Sequence, residues 1–187
     1  MYPKTVAVFL VALAVAVLAE LNCAPKYSGK LQTLRYNTSE VRGVTTVNTK
    51  HNGTVLTEGG SDESGMEVTF SECKGREFFY VGMGRFEAED NKCLTQYYPS
   101  NTNVRVLALS ECEKDSNKLV EKQLFYGPYY QGRENVTIHA KTTNASASTV
   151  AYPYGIYVAA TDHWLGLSSN SVDGFDVQVG GIKKSSP

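Results

Sequence analysis

Met66-Glu-Val-Thr-Phe-Ser-Glu-Cys73 and Arg105-Val-Leu-Ala-Leu-Ser-Glu-Cys112 are two apolar-rich runs that close on the same Ser-Glu-Cys triplet. Each is followed by an aromatic element, Glu77-Phe-Phe-Tyr-Val-Gly82 after the first and Gln123-Leu-Phe-Tyr-Gly127 after the second, so the likeness extends past the cysteine. Near the C-terminus Asp173-Gly-Phe-Asp-Val-Gln-Val179 repeats the small-Gly-apolar-acid-Val-polar-apolar order of Ser64-Gly-Met-Glu-Val-Thr-Phe70, this time without a cysteine. A strand unit of this length cannot bury its apolar face alone, whereas three copies packed together share one core. The echoes therefore read as a threefold pseudo-repeat, with residues 127–150 as an insert before the last copy. That insert ends in Lys141-Thr-Thr-Asn-Ala-Ser-Ala-Ser-Thr149, which lacks the apolar spacing of a packed element.

Outward from the repeats, Val136/Ile138/Ala140, Ile156/Val158/Ala160 and Phe175/Val177/Val179 alternate every second residue, the period of half-buried strands. No stretch beyond the N-terminal leader carries a helical stripe. With 16 Gly, 12 Tyr and 7 Phe in 187 residues, turns and pleated surfaces are well supplied, and the expected class is all-β. Lys+Arg 18 against Asp+Glu 19 leaves a formal charge of -1, so nothing grips a phosphate backbone and nucleic acid is not an expected partner.

Lys4 precedes the unbroken apolar run Val6 to Leu18, which suits a secretory leader and is shorter than the roughly 20 residues a bilayer span requires. Val17 and Ala19 put small side chains where a signal peptidase reads, placing cleavage after Ala19. The expected organisation is a signal peptide over 1–19, one domain over 20–180 and a flexible tail over 181–187. No later run is apolar and long enough to serve as a membrane anchor, and the product is expected to be secreted and extracellular. Sequons at Asn37, Asn52, Asn135 and Asn144 fit that compartment as glycosylation sites. So do Cys23, Cys73, Cys93 and Cys112, which allow three pairings and lack the short spacing of a zinc or redox motif.

At Lys92-Cys93-Leu94-Thr95, followed by Asn103, the apolar run Val104 to Leu109, Cys112 and Gln123-Leu124-Phe125, the sequence resembles a ricin-B-type β-trefoil repeat. That repeat opens on Cys-Leu, closes a disulfide about one strand pair later and ends in Gln-x-Trp, with Phe125 here in place of the Trp. The close match covers residues 90–126, and small secreted fungal proteins with degenerate trefoil repeats are similar overall. The resemblance implies a β-trefoil of three degenerate repeats, a Cys93–Cys112 bridge within the middle repeat, and with it a Cys23–Cys73 bridge. Phe79, Phe125 and either Phe175 or Trp164 would then be core. The rival architecture is a disulfide-bearing β-sandwich.

The resemblance also implies a lectin-like function. In sugar-binding trefoils an early carboxylate and a later amide bond the sugar hydroxyls while an aromatic ring stacks on the sugar's apolar face. Aligned on the cysteines, the carboxylate position falls on Thr95 and the aromatic position on Ser110, so this chain departs from the pattern at both. Asn103 and Gln123 remain as amides, Gln123 having a turn-bracing role as its alternative. Tyr97 and Tyr98 beside Pro99 are candidate stacking rings, as are the pairs flanking Pro128 and Pro153, although Tyr beside Pro also packs on the pyrrolidine. Asp162-His163-Trp164 groups a carboxylate, an imidazole and an indole and is the leading ligand-binding candidate, against Trp164 as ordinary core.

Catalysis has little footing in these residues. His51, His139 and His163 are far apart and form no HExxH-type motif, no Gly-x-Ser-x-Gly elbow occurs, and four bridged cysteines leave no thiol nucleophile. Glu87-Ala-Glu89-Asp90 reads as a solvated turn. The expected activity is non-catalytic binding of carbohydrate or a cell-surface glycan, without cofactor or metal. The alternative is a trefoil that holds a secreted protein partner through its loops, as an inhibitor or effector, and a secreted hydrolase is the remote third.

Overall fold

A computed structural model describes residues 22–35, 38–49, 53–61, 65–74, 83–97, 105–114, 120–126, 134–140, 155–158, 164–168 and 175–184. The leader expected over 1–19 lies outside them. The first four strands are β1 (Asn22–Arg35), β2 (Glu40–Thr49), β3 (Gly53–Ser61) and β4 (Glu67–Lys74). The next four are β5 (Met83–Ala88), β6 (Lys92–Tyr97), β7 (Arg105–Glu111) and β8 (Phe125–Tyr126). The last five are β9 (Asn135–Thr137), β10 (His139–Ala140), β11 (Gly155–Val158), β12 (Leu165–Ser168) and β13 (Phe175–Lys184). β9 and β10 are consecutive pieces of one line divided at Ile138, which gives four strand lines per unit in three units.

The pairings make the threefold relation explicit. β1 pairs with β4, β4 with β5, β5 with β8, β8 with β10, β9 with β13, and β13 returns to β1, all antiparallel, so the ladder closes into a barrel. Between the barrel strands, β2/β3, β6/β7 and β11/β12 form hairpins. Each unit's last strand lies between the first strand of its own unit and the first strand of the next. Phe70 sits opposite Tyr27 and Phe86, Phe125 opposite Gly84 and Ala140, and Val179 opposite Val136 and Leu31. This is the β-trefoil expected from the sequence, and not a sandwich.

Register corrects one part of the repeat reading. The echo between Ser64–Phe70 and Asp173–Val179 is a true equivalence, since Phe70 and Val179 occupy the same place in their units. The Ser-Glu-Cys likeness is not, because Cys73 ends a fourth strand while Cys112 follows a third. The unit-two counterpart of β4 is β8, the short Phe125–Tyr126 strand. The expected insert over 127–150 is likewise interrupted, because Asn135–Ala140 supplies a barrel line. The tail expected from residue 181 is also shorter than its composition suggested. β13 continues to Lys184, paired with Tyr27, and Ile182 packs against the core, which is why Gly180-Gly181 does not end the strand.

Alternation does the packing. Leu31, Val44, Val68, Phe70, Phe86, Phe125, Ile138, Val177 and Val179 are buried and belong to one core cluster. Tyr27, Phe70, Phe86 and Phe125 follow one another with ring centroids 5.1, 5.0 and 5.8 Å apart, the first pair stacked, the second tilted and the third edge-on. Phe79 lies outside the described residues, as does the side chain of Phe175. Gly84 is required where β5 crosses β4, because a Cβ there would collide with the Ser71 carbonyl and the Phe70 ring.

Both expected disulfides are present. Cys93–Cys112 staples β6 to the end of β7, and Cys23–Cys73 staples β1 to β4 where the two residues are already register partners. The two loops differ in length, 19 against 50 residues. Loop-closure entropy predicts that Cys23→Ser/Cys73→Ser costs about 4 kcal/mol and Cys93→Ser/Cys112→Ser about 3 kcal/mol. Urea unfolding of the two double variants checks that ranking.

Candidate functional site

The three hairpins meet at one end of the barrel. Val55 of β3 opposes Ala108 of β7, Val106 of β7 opposes Gly166 of β12, and Trp164 beside β12 bridges back to Thr57 of β3. The chain therefore presents three equivalent triplets, Val55-Leu56-Thr57, Val106-Leu107-Ala108 and Trp164-Leu165-Gly166. In each the central leucine is fully buried in the main core. Strand alternation turns its two neighbours to the opposite face. There Val55, Val106 and Ala108 form a separate apolar cluster, against which Tyr97 and Trp164 pack half-buried.

Two of the sequence candidates thus converge on this cap. Trp164 is neither ordinary core nor free surface. It occupies a position that is valine in the other two units, so the third unit carries an indole where packing alone is satisfied by a much smaller side chain. Tyr97 reaches the same cluster from β6, opposite Val106. Asp162, His163, Asn103 and Tyr98 lie outside the described residues. The apolar-Leu-small pattern of the three triplets is the signal in the sequence that could have located the cap.

Gln123 belongs elsewhere. It ends a short 3-10 turn (Val120–Gln123), is 3% exposed, and spends its carboxamide internally. Nε2 donates toward Thr95 Oγ1 at 3.1 Å, Ser110 Oγ at 3.0 Å and the Glu111 carbonyl at 2.8 Å, while Oε1 accepts from the Glu113 amide at 3.0 Å. Thr95 and Ser110 also bond each other at 2.7 Å. The side chain therefore braces the turn into β8 and is not placed to meet a ligand, a correction to its reading as a binding amide. The two positions where a sugar site would need a carboxylate and an aromatic ring are closed into the same small cluster.

Among the described residues, the buried charged side chain is Glu58 in the first unit. The Glu58 side chain, 1% exposed, accepts from Thr33 Oγ1 at 2.8 Å and pairs with Arg35 Nη2 at 2.5 Å, with Arg42 Nη1 at 3.7 Å. Burial is the largest single influence on Glu58 and pushes its carboxyl up, but hydrogen bonds from Arg35 and Thr33 and the charges of Arg35 and Arg42 together outweigh it and hold the group below its ordinary value. A carboxylate pinned between two guanidiniums is a structural ion pair rather than an acid or base. Among the described residues no group of three or more His, Cys, Asp or Glu side chains is placed to hold a metal. No helix among them is long and apolar enough to cross a membrane. Of the four sequons, Asn135 alone has its asparagine among the described residues, exposed at the first position of β9.

Barrel, hairpin cap and threefold register define a β-trefoil, and one solved structure agrees at the level of fold. A chicken interleukin-1 hydrophobic-cavity mutant aligns with TM-score 0.50 and 11% identity over 90% of this chain and 99% of that one. A chicken interleukin-1 beta point mutant aligns with TM-score 0.46 and 13% identity over 87% and 100%. No family model matches the chain, and no curated protein matches it.

Proposed function

We propose that the chain is a secreted, non-catalytic binding module that holds carbohydrate on the hairpin cap, with Trp164 and Tyr97 as stacking rings. The observation that carries this reading is the half-buried indole at a position equivalent to two valines. A half-buried ring resting on Val55, Val106 and Ala108 is suited to the apolar face of a sugar, because stacking supplies desolvated area without demanding a deep pocket. Asp162 and His163, next in sequence to Trp164, and Tyr98 and Asn103, shortly after Tyr97, are the polar and aromatic groups assigned to orient the sugar. The two disulfides fit the oxidising compartment that secretion implies.

A glycan array tests the proposal with the mature protein and its Trp164→Val variant, which restores the residue of the other two units and so preserves the fold. The variant is expected to lose binding by about tenfold or more, the loss of at least 1.4 kcal/mol. Unaltered binding by the variant overturns the assignment of the cap. An array on which the wild-type protein binds nothing overturns the carbohydrate reading in favour of a protein partner. That second reading draws its support from Thr95, Ser110 and Gln123, whose polar groups are spent on one another.

A further inference from the structure

A recess of about 370 Å³ lies on the outer wall of the barrel, across β9, β13, β1 and β2, and shares no residue with the cap's aromatic cluster. Its polar lining is Lys30, Gln32, Gln178 and Asn135. Gln32 and Gln178 are register partners, 8% and 5% exposed, and neither carboxamide has a hydrogen-bond partner among the described residues. Their amide atoms are not among the side-chain polar atoms sealed from solvent without a partner, so both amides open onto the recess with hydrogen-bonding capacity to offer an occupant.

The glycines of β13 shape the recess. A Cβ at Gly180 would strike the Gln32 amide oxygen and come within 3.0 Å of Asn135 Oδ1, so the missing side chain lets both amides converge above the Gly180 backbone. A Cβ at Gly181, where φ is +60°, would meet nothing within 4 Å, which leaves open room alongside. Asn135 opens the sequon Asn135-Val136-Thr137 on β9. Strand alternation sends Val136 into the core and turns Asn135 outward beside the recess.

We infer that Asn135 is an occupied N-glycosylation site and that the recess seats the glycan's first N-acetylhexosamine unit. Attachment at Nδ2 keeps Oδ1 as an acceptor and places the sugar's hydroxyl and acetamido groups where Gln32 and Gln178 can donate and accept. A polyhydroxyl ring with an amide substituent matches this lining better than an anion, since one Lys30 is set among three neutral amides. The inference rests on passage through a glycosylating secretory pathway and is independent of the cap.

The test is expression of the full chain from a eukaryotic secretory host, followed by peptide mass mapping and timed release of the Asn135 glycan by an amidase. Expected are occupancy of Asn135 in most molecules and release from native protein at least about tenfold slower than from denatured protein. Gln32→Ala/Gln178→Ala is expected to raise the native release rate at least fivefold, with unchanged circular dichroism. Should that pair fail to fold, Gln32→Asn, one methylene shorter, retracts one amide and is expected to raise the rate in the same direction. An unmodified Asn135, equal release from native and denatured protein, or a rate unaffected by the folded variants overturns the inference.

Discussion

Arg35→Leu is expected to lose about 3–5 kcal/mol of stability at neutral pH, the cost of leaving a buried carboxylate without its principal counter-charge. The substitution keeps an apolar stem along the strand and removes the 2.5 Å contact to Glu58, so Glu58 is left with Thr33 and the more distant Arg42 among the described residues. The pH response should weaken as well. In the wild-type protein Glu58 titrates below its ordinary value near 4.5, so its contribution is complete above that pH and is lost as pH falls through the lower folded value. In the variant the Arg35 hydrogen bond and charge no longer oppose burial, so the Glu58 value moves up from its wild-type position and the stability deficit narrows on acidification. Chemical unfolding at pH 7 and at mildly acidic pH reads both effects. A variant within about 1 kcal/mol of wild type, or one whose deficit grows on acidification, would show that Glu58 does not depend on Arg35.

This site was invisible in the sequence, and the reason is physical. Glu58 is followed by Gly59-Gly60, and nothing in that local sequence marks its side chain for burial. Its burial is decided by Thr33 and Arg35, more than twenty residues upstream. By contrast, Phe175/Val177/Val179 and Val136/Ile138/Ala140 announced their strands, because alternation is written along the chain itself. The Ser-Glu-Cys likeness misled for the opposite reason. A strand's composition records how buried its faces are and not its rank within a unit, so a third and a fourth strand came to look alike. Gln123 was similarly ambiguous, since a bracing amide and a ligand-binding amide differ only in what surrounds them. Trp164 was legible as exceptional, but its equivalence to Val55 and Val106 required the pairing of Thr57 with Trp164 to be seen.

The leucine triad carries the largest expected effect on the fold as a whole. Leu56, Leu107 and Leu165 each have 0% exposure and belong to the same core cluster, one from each hairpin. Each Leu→Ala substitution is expected to cost about 2–5 kcal/mol, the range for a leucine whose cavity collapses incompletely. Threefold equivalence adds a sharper expectation, that the three costs resemble one another despite the different sequences around them. Any two together approach the roughly 5–15 kcal/mol that holds a domain of this kind, so a double variant is expected to be largely unfolded at 25 °C. Equilibrium unfolding in urea, followed by tryptophan fluorescence, suits the measurement because the single Trp of the chain, Trp164, packs at the cap itself. A Leu165→Ala cost below about 0.5 kcal/mol alongside several kcal/mol at Leu56 and Leu107 would mean that the third hairpin does not share in closing the barrel. The placement of Trp164 as the third unit's counterpart of Val55 and Val106 would fall with it, because that placement is defined by the same strand pairing that sets Leu165 beside Leu56 and Leu107.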